Sequence, residues 1–217
     1  MSKAVTVFVA IITAILVMGG NFFIIHFLSQ NDNELAENID HNRLKKMYIA
    51  SFITGFFVGL MPFPINLIMI VPTIVMFVSA ETDMLIKQIY VITCALNFLL
   101  GISLLFLCGY DIKDYFMHVI FCMVLLAFFT IVKAMNLGDL EMIVAITPYL
   151  YMLGSYYGRP TFIELFVFFL MVTCVFALVI YFRAFRKDKA KSLPFAVPAC
   201  FSYCSYFFVI CMSNLIN

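Results

Sequence analysis

Two aspartates, Asp83 and Asp139, are the residues of this chain whose type and placement best suit chemistry. Each adjoins a long apolar run: Asp83 comes just after one, and Asp139 just before another. Two carboxyl groups held close together cannot both ionise cheaply, so one keeps its proton and the pair titrates as a unit. The ionised partner can then take a proton from water while the protonated partner donates to a carbonyl oxygen. That division of roles is the chemistry of aspartic peptide hydrolysis.

Each aspartate also has a structural explanation. Asp139 follows Gly138 at the start of an apolar run, and its spacing from Asn136 is typical of a helix capping box. Asp83 alone would be explained as a loop residue at a membrane surface. The pair favours the catalytic interpretation, because ionisable residues at a membrane are costly and are functional candidates by default.

The composition determines which elements must position these acids. The chain has 217 residues, of which 65% are hydrophobic and 12% are charged, and the charges fall in short islands between uncharged runs. Such a balance is typical of membrane proteins, with the runs as spans and the islands as loops. No run alternates in the manner of a membrane strand. We therefore predict an all-α, polytopic membrane protein.

The uncharged runs predict about eight transmembrane helices, each near the roughly 20 residues that a bilayer core requires. The stretch from Met47 to Ala80 is too long for one span, and Pro62 and Pro64 break it into two short helices. The other predicted spans are Ala4 to Ile25, Ile89 to Cys108, Tyr115 to Val132, Leu140 to Tyr157, Phe162 to Phe182 and Pro194 to Ile216. Residues 1–217 are predicted to form a single membrane-embedded domain.

The basic residues predict the orientation, because cytoplasmic loops carry an excess of Lys and Arg. With eight spans, ten basic residues fall on one face and three on the other. The first set is Arg43, Lys45, Lys46, Lys87, Lys133, Arg183, Arg186, Lys187, Lys189 and Lys191, and the second is Lys3, Lys113 and Arg159. Both termini are therefore expected outside, and Asp83 and Asp139 are both expected at the cytoplasmic face.

The remaining polar residues have structural explanations. Thr161 and Glu164 are spaced as a capping box, while Asp111 and Asp114 are expected to be solvated in a short exterior loop. Asn66 and Asn97 are expected to hydrogen-bond between spans. Ser103 and His118 invite comparison with a serine intramembrane protease, but the glycine that should follow the serine is missing. The histidines form no H-E-x-x-H motif and the cysteines no CxxC pair, so no metal or other cofactor is predicted.

The segment from Asn136 to Glu141 resembles a motif of the type IV prepilin peptidases, which are membrane aspartyl proteases of the A24 type. Their second catalytic aspartate opens a helix in the motif G-x-G-D-x-K. Gly138 and Asp139 match this motif, while Asn136 stands at the first glycine and Glu141 at the lysine.

Three further segments are similar to the same family. The first catalytic aspartate of the family precedes an I-P-N sequence, and here Asp83 precedes Ile89 at the same spacing, with Tyr90 and Val91 in place of Pro and Asn. Pro194 and Pro198 resemble a proline pair before the last span, with one extra residue between them. Gly20-Asn21-Phe22-Phe23 is similar to a G-S-F-L sequence in the first helix.

This resemblance implies that Asp83 and Asp139 are the catalytic pair, and that Gly138 lets the backbone approach closely beside Asp139. The implied partners are the lipid bilayer and a prepilin or pseudopilin-like substrate with a hydrophobic N-terminal helix. The implied location is the bacterial cytoplasmic membrane, and no nucleic-acid partner is expected. The first loop, roughly Ser29 to Lys46, lacks the paired CxxC motifs that larger members carry and associate with N-methylation. The chain thus looks like the compact enzymes that process competence pseudopilins in Gram-positive bacteria.

Two other functions remain open at this point. One is a small transporter in which the acids bind protons or cations, although the acids fall at the inner surface rather than at mid-membrane. The other is a catalytically inactive relative that acts as a scaffold.

Overall fold

The computed structural model describes residues 3–131, 136–158, 161–185 and 195–216. Within these ranges the chain is helical and has no strand, which confirms the all-α prediction. The helices are α1 (Lys3–Asn31), α2 (Asn33–Glu37), α3 (His41–Gly59), α4 (Ile65–Ile68), α5 (Ile70–Ile86), α6 (Val91–Leu107), α7 (Ile112–Ile131), α8 (Leu137–Tyr157), α9 (Phe162–Phe185) and α10 (Ala196–Ile216).

Several residues used in the predictions above lie outside the described part of the chain. They are Lys133, Arg159, Arg186, Lys187, Lys189, Lys191 and Pro194, together with the side chains of Lys3 and Arg183. The orientation predicted from the basic residues therefore stays a prediction.

Three of the described helical segments are long and apolar enough to cross a membrane: Ala4–Asn31, Ile65–Ile86 and Phe162–Phe182. Two shorter apolar helices, Val91–Leu107 and Ala196–Ile210, accompany them. Many large apolar side chains of α1, α6, α7 and α9 stay exposed. Exposed apolar surface of this extent is typical of helices that face lipid, and it favours a membrane protein.

The proline-rich break predicted between Met47 and Ala80 is present. Pro62 and Pro64 lie between α3 and the short helix α4, which leads directly into α5. However, α5 continues past the predicted end at Ala80 to Ile86, and Glu81, Thr82 and Asp83 are buried within it. The prediction that these residues form a loop is therefore wrong. The helix ends only at Lys87, whose φ of 55° is left-handed.

Small residues allow two pairs of helices, α1 with α3 and α6 with α8, to pack closely. A Cβ atom on Gly59 of α3 would lie 2.5 Å from the Cα atom of Ala10 in α1. A Cβ atom on Gly101 of α6 would lie 2.8 Å from the Cβ atom of Pro148 in α8. Both distances are shorter than van der Waals contact, so larger residues at Gly59 and Gly101 would force these helices apart.

Hydrogen bonds reinforce the contact between α6 and α8. The side-chain amide of Asn97 donates to the carbonyl of Ala145 at 3.1 Å, and the Tyr149 hydroxyl donates to the carbonyl of Asn97 at 3.0 Å. The predicted bond between helices is thus confirmed for Asn97. For Asn66 the bond found is local, because its side-chain oxygen accepts from the backbone N–H of the next residue, Leu67, and the interhelical bond stays a prediction.

Two other acids, Asp114 and Glu164, form hydrogen bonds at the ends of helices. The capping box is confirmed, since Glu164 Oε2 accepts from the Thr161 N–H at 2.7 Å and the Thr161 hydroxyl oxygen accepts from the Glu164 N–H at 3.4 Å. Asp114 is exposed as predicted, but its carboxylate also accepts from the Tyr151 hydroxyl at 2.6 Å. Asp114 therefore joins α7 to α8 and is not merely solvated.

Candidate active site

Asp83 lies one turn before the end of α5, and its side chain is only 7% exposed. Its Oδ2 atom accepts a hydrogen bond from the backbone N–H of Ala196 at 2.8 Å. Ala196 is the first residue of α10, where backbone N–H groups lack partners inside the helix and carry the positive end of its dipole. The N-terminus of α10 therefore holds the Asp83 carboxylate in place.

Asp139 lies in the first turn of α8 and is 5% exposed. Its Oδ2 atom accepts from the backbone N–H of Asn136 at 2.9 Å, which is the acidic half of a capping box. Asn136 has the extended conformation that a helix N-cap requires. The structural explanation of Asp139 is thus present in the molecule, and it fixes the carboxylate at the start of α8.

The fold brings the two aspartates together. The C-terminal end of α5 and the N-terminal end of α8 carry the two residues, and these helices are in contact. The two carboxylates are close enough to interact electrostatically, and Lys87 also interacts with Asp83. Two carboxylates far apart in the sequence thus lie at the same end of the helix bundle, next to the start of α10.

The hydrogen bonds found for the two carboxylates both involve Oδ2. No described residue donates to Oδ1 of Asp83 or Asp139. Asp139 precedes the span predicted from Leu140, and burial raises its pKa above the ordinary value, while the hydrogen bond from Asn136 partly offsets this effect.

Gly138 directly precedes Asp139 but does not make the close approach expected from the family motif. A Cβ atom there would meet the Cβ atom of Ile89 at 3.7 Å, which is ordinary van der Waals contact. What the structure does show is that Ile89, six residues after Asp83, packs beside the residue that precedes Asp139. The segment that follows Asp83 is therefore in contact with the residue that precedes Asp139.

Asn136 and Glu141 stand where the resembled motif has its first glycine and its lysine. Asn136 is the exposed N-cap of α8, as described above. Glu141 is half-buried, its Oε2 atom is buried and has no partner among the described residues, and its carboxylate interacts electrostatically with Cys94 of α6. The residue at the usual lysine position therefore points into the contact between α6 and α8.

Tyr90, which stands where the resembled motif has proline, forms a hydrogen bond with the first interhelical loop. Its hydroxyl donates to the carboxylate of Asp32, and the other carboxylate oxygen of Asp32 caps α2 by accepting from the N–H of Leu35 at 3.2 Å. The side chain of Leu35 is fully buried. The first interhelical loop is thus attached directly to the connection that follows Asp83.

The residues of the serine-protease comparison make only local bonds. The Ser103 hydroxyl donates to the Leu99 carbonyl at 2.9 Å, and His118 bonds the Asp114 carbonyl at 2.8 Å. Within the described residues, no three His, Cys, Asp or Glu side chains come together in a way that could hold a metal ion. The aspartate pair is therefore the best candidate for catalysis that the geometry offers.

Sequence reasoning missed two parts of this region. Ala196 acts only through its backbone, and its partner Asp83 is 113 positions away, so no local pattern indicates the bond. Glu81 is fully buried in α5 and accepts from the Asn21 side chain of α1 at 2.7 Å. The signal available for Glu81 was its position directly after an apolar run together with a polar residue, Asn21, inside the first span.

No family model matches this chain, and neither a curated protein nor a solved structure resembles it at a significant level. Its function therefore has to be argued from the residues and geometry just described.

Proposed function

We propose that this chain is a membrane aspartyl endopeptidase in which Asp83 and Asp139 act as the catalytic pair. The observation that carries the proposal is that these two buried carboxylates, on α5 and α8, lie at one end of the helix bundle within range of electrostatic interaction. A pair of acids used only for structure would not need to lie so near each other, because like charges repel.

The geometry suits general acid–base catalysis by the pair. One aspartate is ionised and takes a proton from a water molecule, whose oxygen attacks the carbonyl carbon of the peptide bond. The protonated partner donates to the carbonyl oxygen, giving a tetrahedral intermediate. When the C–N bond breaks, one aspartic acid gives the leaving nitrogen the proton that came from water. A hydroxyl of the intermediate returns its proton to the other aspartate as the product carbonyl forms, so the pair again holds one shared proton. Ala196 and Asn136 orient the carboxylates through Oδ2, and in this proposal the Oδ1 atoms exchange protons with water and substrate.

The proposed substrate is a prepilin or pseudopilin-like protein with a hydrophobic N-terminal helix, cleaved at its leader on the cytoplasmic side of the membrane. The resemblance of Gly138 and Asp139 to the prepilin peptidase motif, and the contact between Gly138 and Ile89, support this choice. In this proposal the chain crosses the bacterial cytoplasmic membrane eight times.

The test is cleavage of a prepilin-like protein of the same genome, co-expressed with the wild-type chain, with Asp83→Asn or with Asp139→Asn. We expect only the wild type to remove the leader, and the mass of the product shows the cleavage point and any added methyl group. Asp40→Asn is a matched control, since Asp40 is a partly exposed N-cap residue of α3 and asparagine caps equally well. Cleavage by either aspartate variant at the wild-type rate would refute the proposal.

A proton- or cation-coupled transporter is the second candidate, and the buried Glu81 favours it. Glu81 lies inside a helix that is apolar enough to span a membrane, where an acid is a common element of a proton pathway. Flux of protons or cations into proteoliposomes that is lost in Glu81→Gln, combined with no peptidase activity, would establish this function instead.

A further inference from the structure

Glu81 and Asn21 form a buried polar pair that the proposed peptidase reaction does not use. Both side chains are fully buried, Glu81 in α5 and Asn21 in α1. The Asn21 amide nitrogen donates to Glu81 Oε1 at 2.7 Å. Because α1 and α5 are in contact along this region, the pair joins two helices that are distant in the sequence.

One oxygen of each side chain takes no part in this hydrogen bond. Glu81 Oε2 and Asn21 Oδ1 are both fully buried, and neither has a hydrogen-bond partner within the described part of the chain. An ionised glutamate offers only acceptors, and the amide oxygen is an acceptor too. With a charged Glu81, the pair would therefore bury two unsatisfied acceptors and an unpaired charge, which is a strongly unfavourable arrangement.

The groups that face Glu81 do not supply a compensating charge. Tyr48 of α3 and Cys200 of α10 are the titratable side chains near it on neighbouring helices, and both are neutral at ordinary pH. Asn21 of α1 is uncharged. On α5 itself the nearest titratable residue is the acid Asp83. The ion pairs found among the described residues involve Asp40 and Asp114, not Glu81.

One proton satisfies both leftover atoms. Placed on Glu81 Oε2, it makes that oxygen a donor for which the Asn21 oxygen is an acceptor without another partner among the described residues, while Asn21 continues to donate to Oε1. The result is a neutral carboxylic acid and an amide joined by two antiparallel hydrogen bonds. A hard metal cation fits less well, because it takes about six oxygen ligands and the pair offers two.

We propose that Glu81 and Asn21 form a proton-binding site inside the membrane domain, in which Glu81 is held in its neutral form and shares its proton with Asn21. The site is independent of the aspartate pair and does not depend on peptidase activity. It fastens α1 to α5 two residues before Asp83 without placing a charge in the apolar interior.

The test is infrared spectroscopy of the purified full chain at neutral pH, with glutamate carbons labelled. A protonated carboxyl group has a C=O stretching band separate from that of a carboxylate, and the label assigns it to glutamate. We expect the wild type to show this band and Glu81→Gln to lose it. Glutamine imitates the neutral acid, since it both accepts and donates, so this variant should keep the wild-type melting temperature.

Glu141→Gln is the matched control, because Glu141 is the other glutamate with a buried, unpartnered Oε2 atom among the described residues. Its spectrum should keep the band. A band that is lost in Glu141→Gln and kept in Glu81→Gln would overturn the proposal, and so would a wild-type spectrum with no protonated glutamate at neutral pH. If Glu81→Gln fails to fold, the wild type and Glu141→Gln still decide the question: a band kept in Glu141→Gln supports the proposal, and a band lost in it or missing from the wild type overturns it.

Discussion

The carboxylate of Asp83, near the end of α5, accepts a hydrogen bond from the backbone N–H of Ala196 at the start of α10. Because the donor is a backbone group, the bond holds Asp83 in place without using another side chain. An asparagine at position 83 can accept the same bond through its amide oxygen. Asp83→Asn is therefore a variant that removes the acid and preserves the attachment of α10.

At position 139, asparagine and alanine separate the capping role from catalysis. Asparagine can still accept from the Asn136 N–H, whereas alanine cannot, and loss of a helix cap costs about 1 kcal/mol of stability. The peptidase proposal predicts that both variants lose cleavage by roughly 10²–10⁴-fold, the range of general acid–base catalysis. Only Asp139→Ala should also unfold at a lower temperature.

Cleavage rates and melting temperatures of the same purified samples check this prediction. If Asp139 served only as a cap, Asp139→Asn would cleave like the wild type and Asp139→Ala would be impaired in proportion to its lower stability.

Stability should also respond to pH through Asp139. Burial raises the pKa of this acid in the folded state, so the folded chain binds its proton more tightly than the unfolded chain. As pH rises from below the ordinary value of 3.8 through the raised pKa, the contribution of Asp139 to stability falls. Asp139→Asn should thus be at least as stable as the wild type at neutral pH.

Melting temperatures of wild type and Asp139→Asn across this pH range provide the measurement. The advantage of the variant should shrink as the pH approaches the ordinary value from above. An advantage that grew on acidification would mean that the folded protein stabilises the charged form of Asp139.

Tyr90→Phe should loosen the first interhelical loop. The Tyr90 hydroxyl is the main reason that the pKa of Asp32 is below its ordinary value, so its loss should raise that pKa. Because the pKa of Asp32 is lowered in the folded state, the contribution of Asp32 to stability is present above the ordinary value and is lost as pH falls through the lowered pKa. Without the Tyr90 hydroxyl this loss occurs at a higher pH, so the variant should release α2 at a higher pH than the wild type.

Hydrogen exchange of the α2 amides as a function of pH reports this change. Tyr156→Phe is a suitable control, because Tyr156 is an exposed tyrosine on α8. Equal exchange of α2 in wild type and Tyr90→Phe at every pH would show that the Asp32 contact does not order the loop.

Gly59→Ala should destabilise the contact between α1 and α3. The new methyl group would lie 2.5 Å from the backbone of Ala10, and overpacking of this kind costs about 1–3 kcal/mol. Gly19→Ala is the matched control in α1, since a Cβ atom there meets nothing within 4 Å. A lower melting temperature for Gly59→Ala alone is expected, and equal melting temperatures of the two variants would contradict this packing.

The helices and the hydrogen bond that holds Asp139 could be predicted from the sequence, because their signals are local. Apolar runs and prolines separate the helices, and the spacing of Asn136 and Asp139 indicates the cap of α8. The burial of Glu81 could not be predicted, since a charged residue after an apolar run normally marks the end of a span. Its partner Asn21 is 60 positions away, and only the packing of α1 on α5 brings the two together.

The proximity of Asp83 and Asp139 was predicted from topology, by counting spans between them. That count predicts that both aspartates lie at the same face of the membrane, but it does not predict which helices are in contact. The bond from Ala196 and the contact of Ile89 with Gly138 depend on the packing of α10 and α8 against α5, which hydropathy does not encode.

The central claim is that Asp83 and Asp139 act as one catalytic unit. The most direct measurement is the rate of leader cleavage in proteoliposomes containing the wild type, Asp83→Asn, Asp139→Asn or the double variant, at equal protein levels. Residues that work as a unit are strongly non-additive, so the double variant should lose no more activity than either single variant. Retention of wild-type activity by either single variant, or independent losses that multiply in the double variant, would contradict the claim.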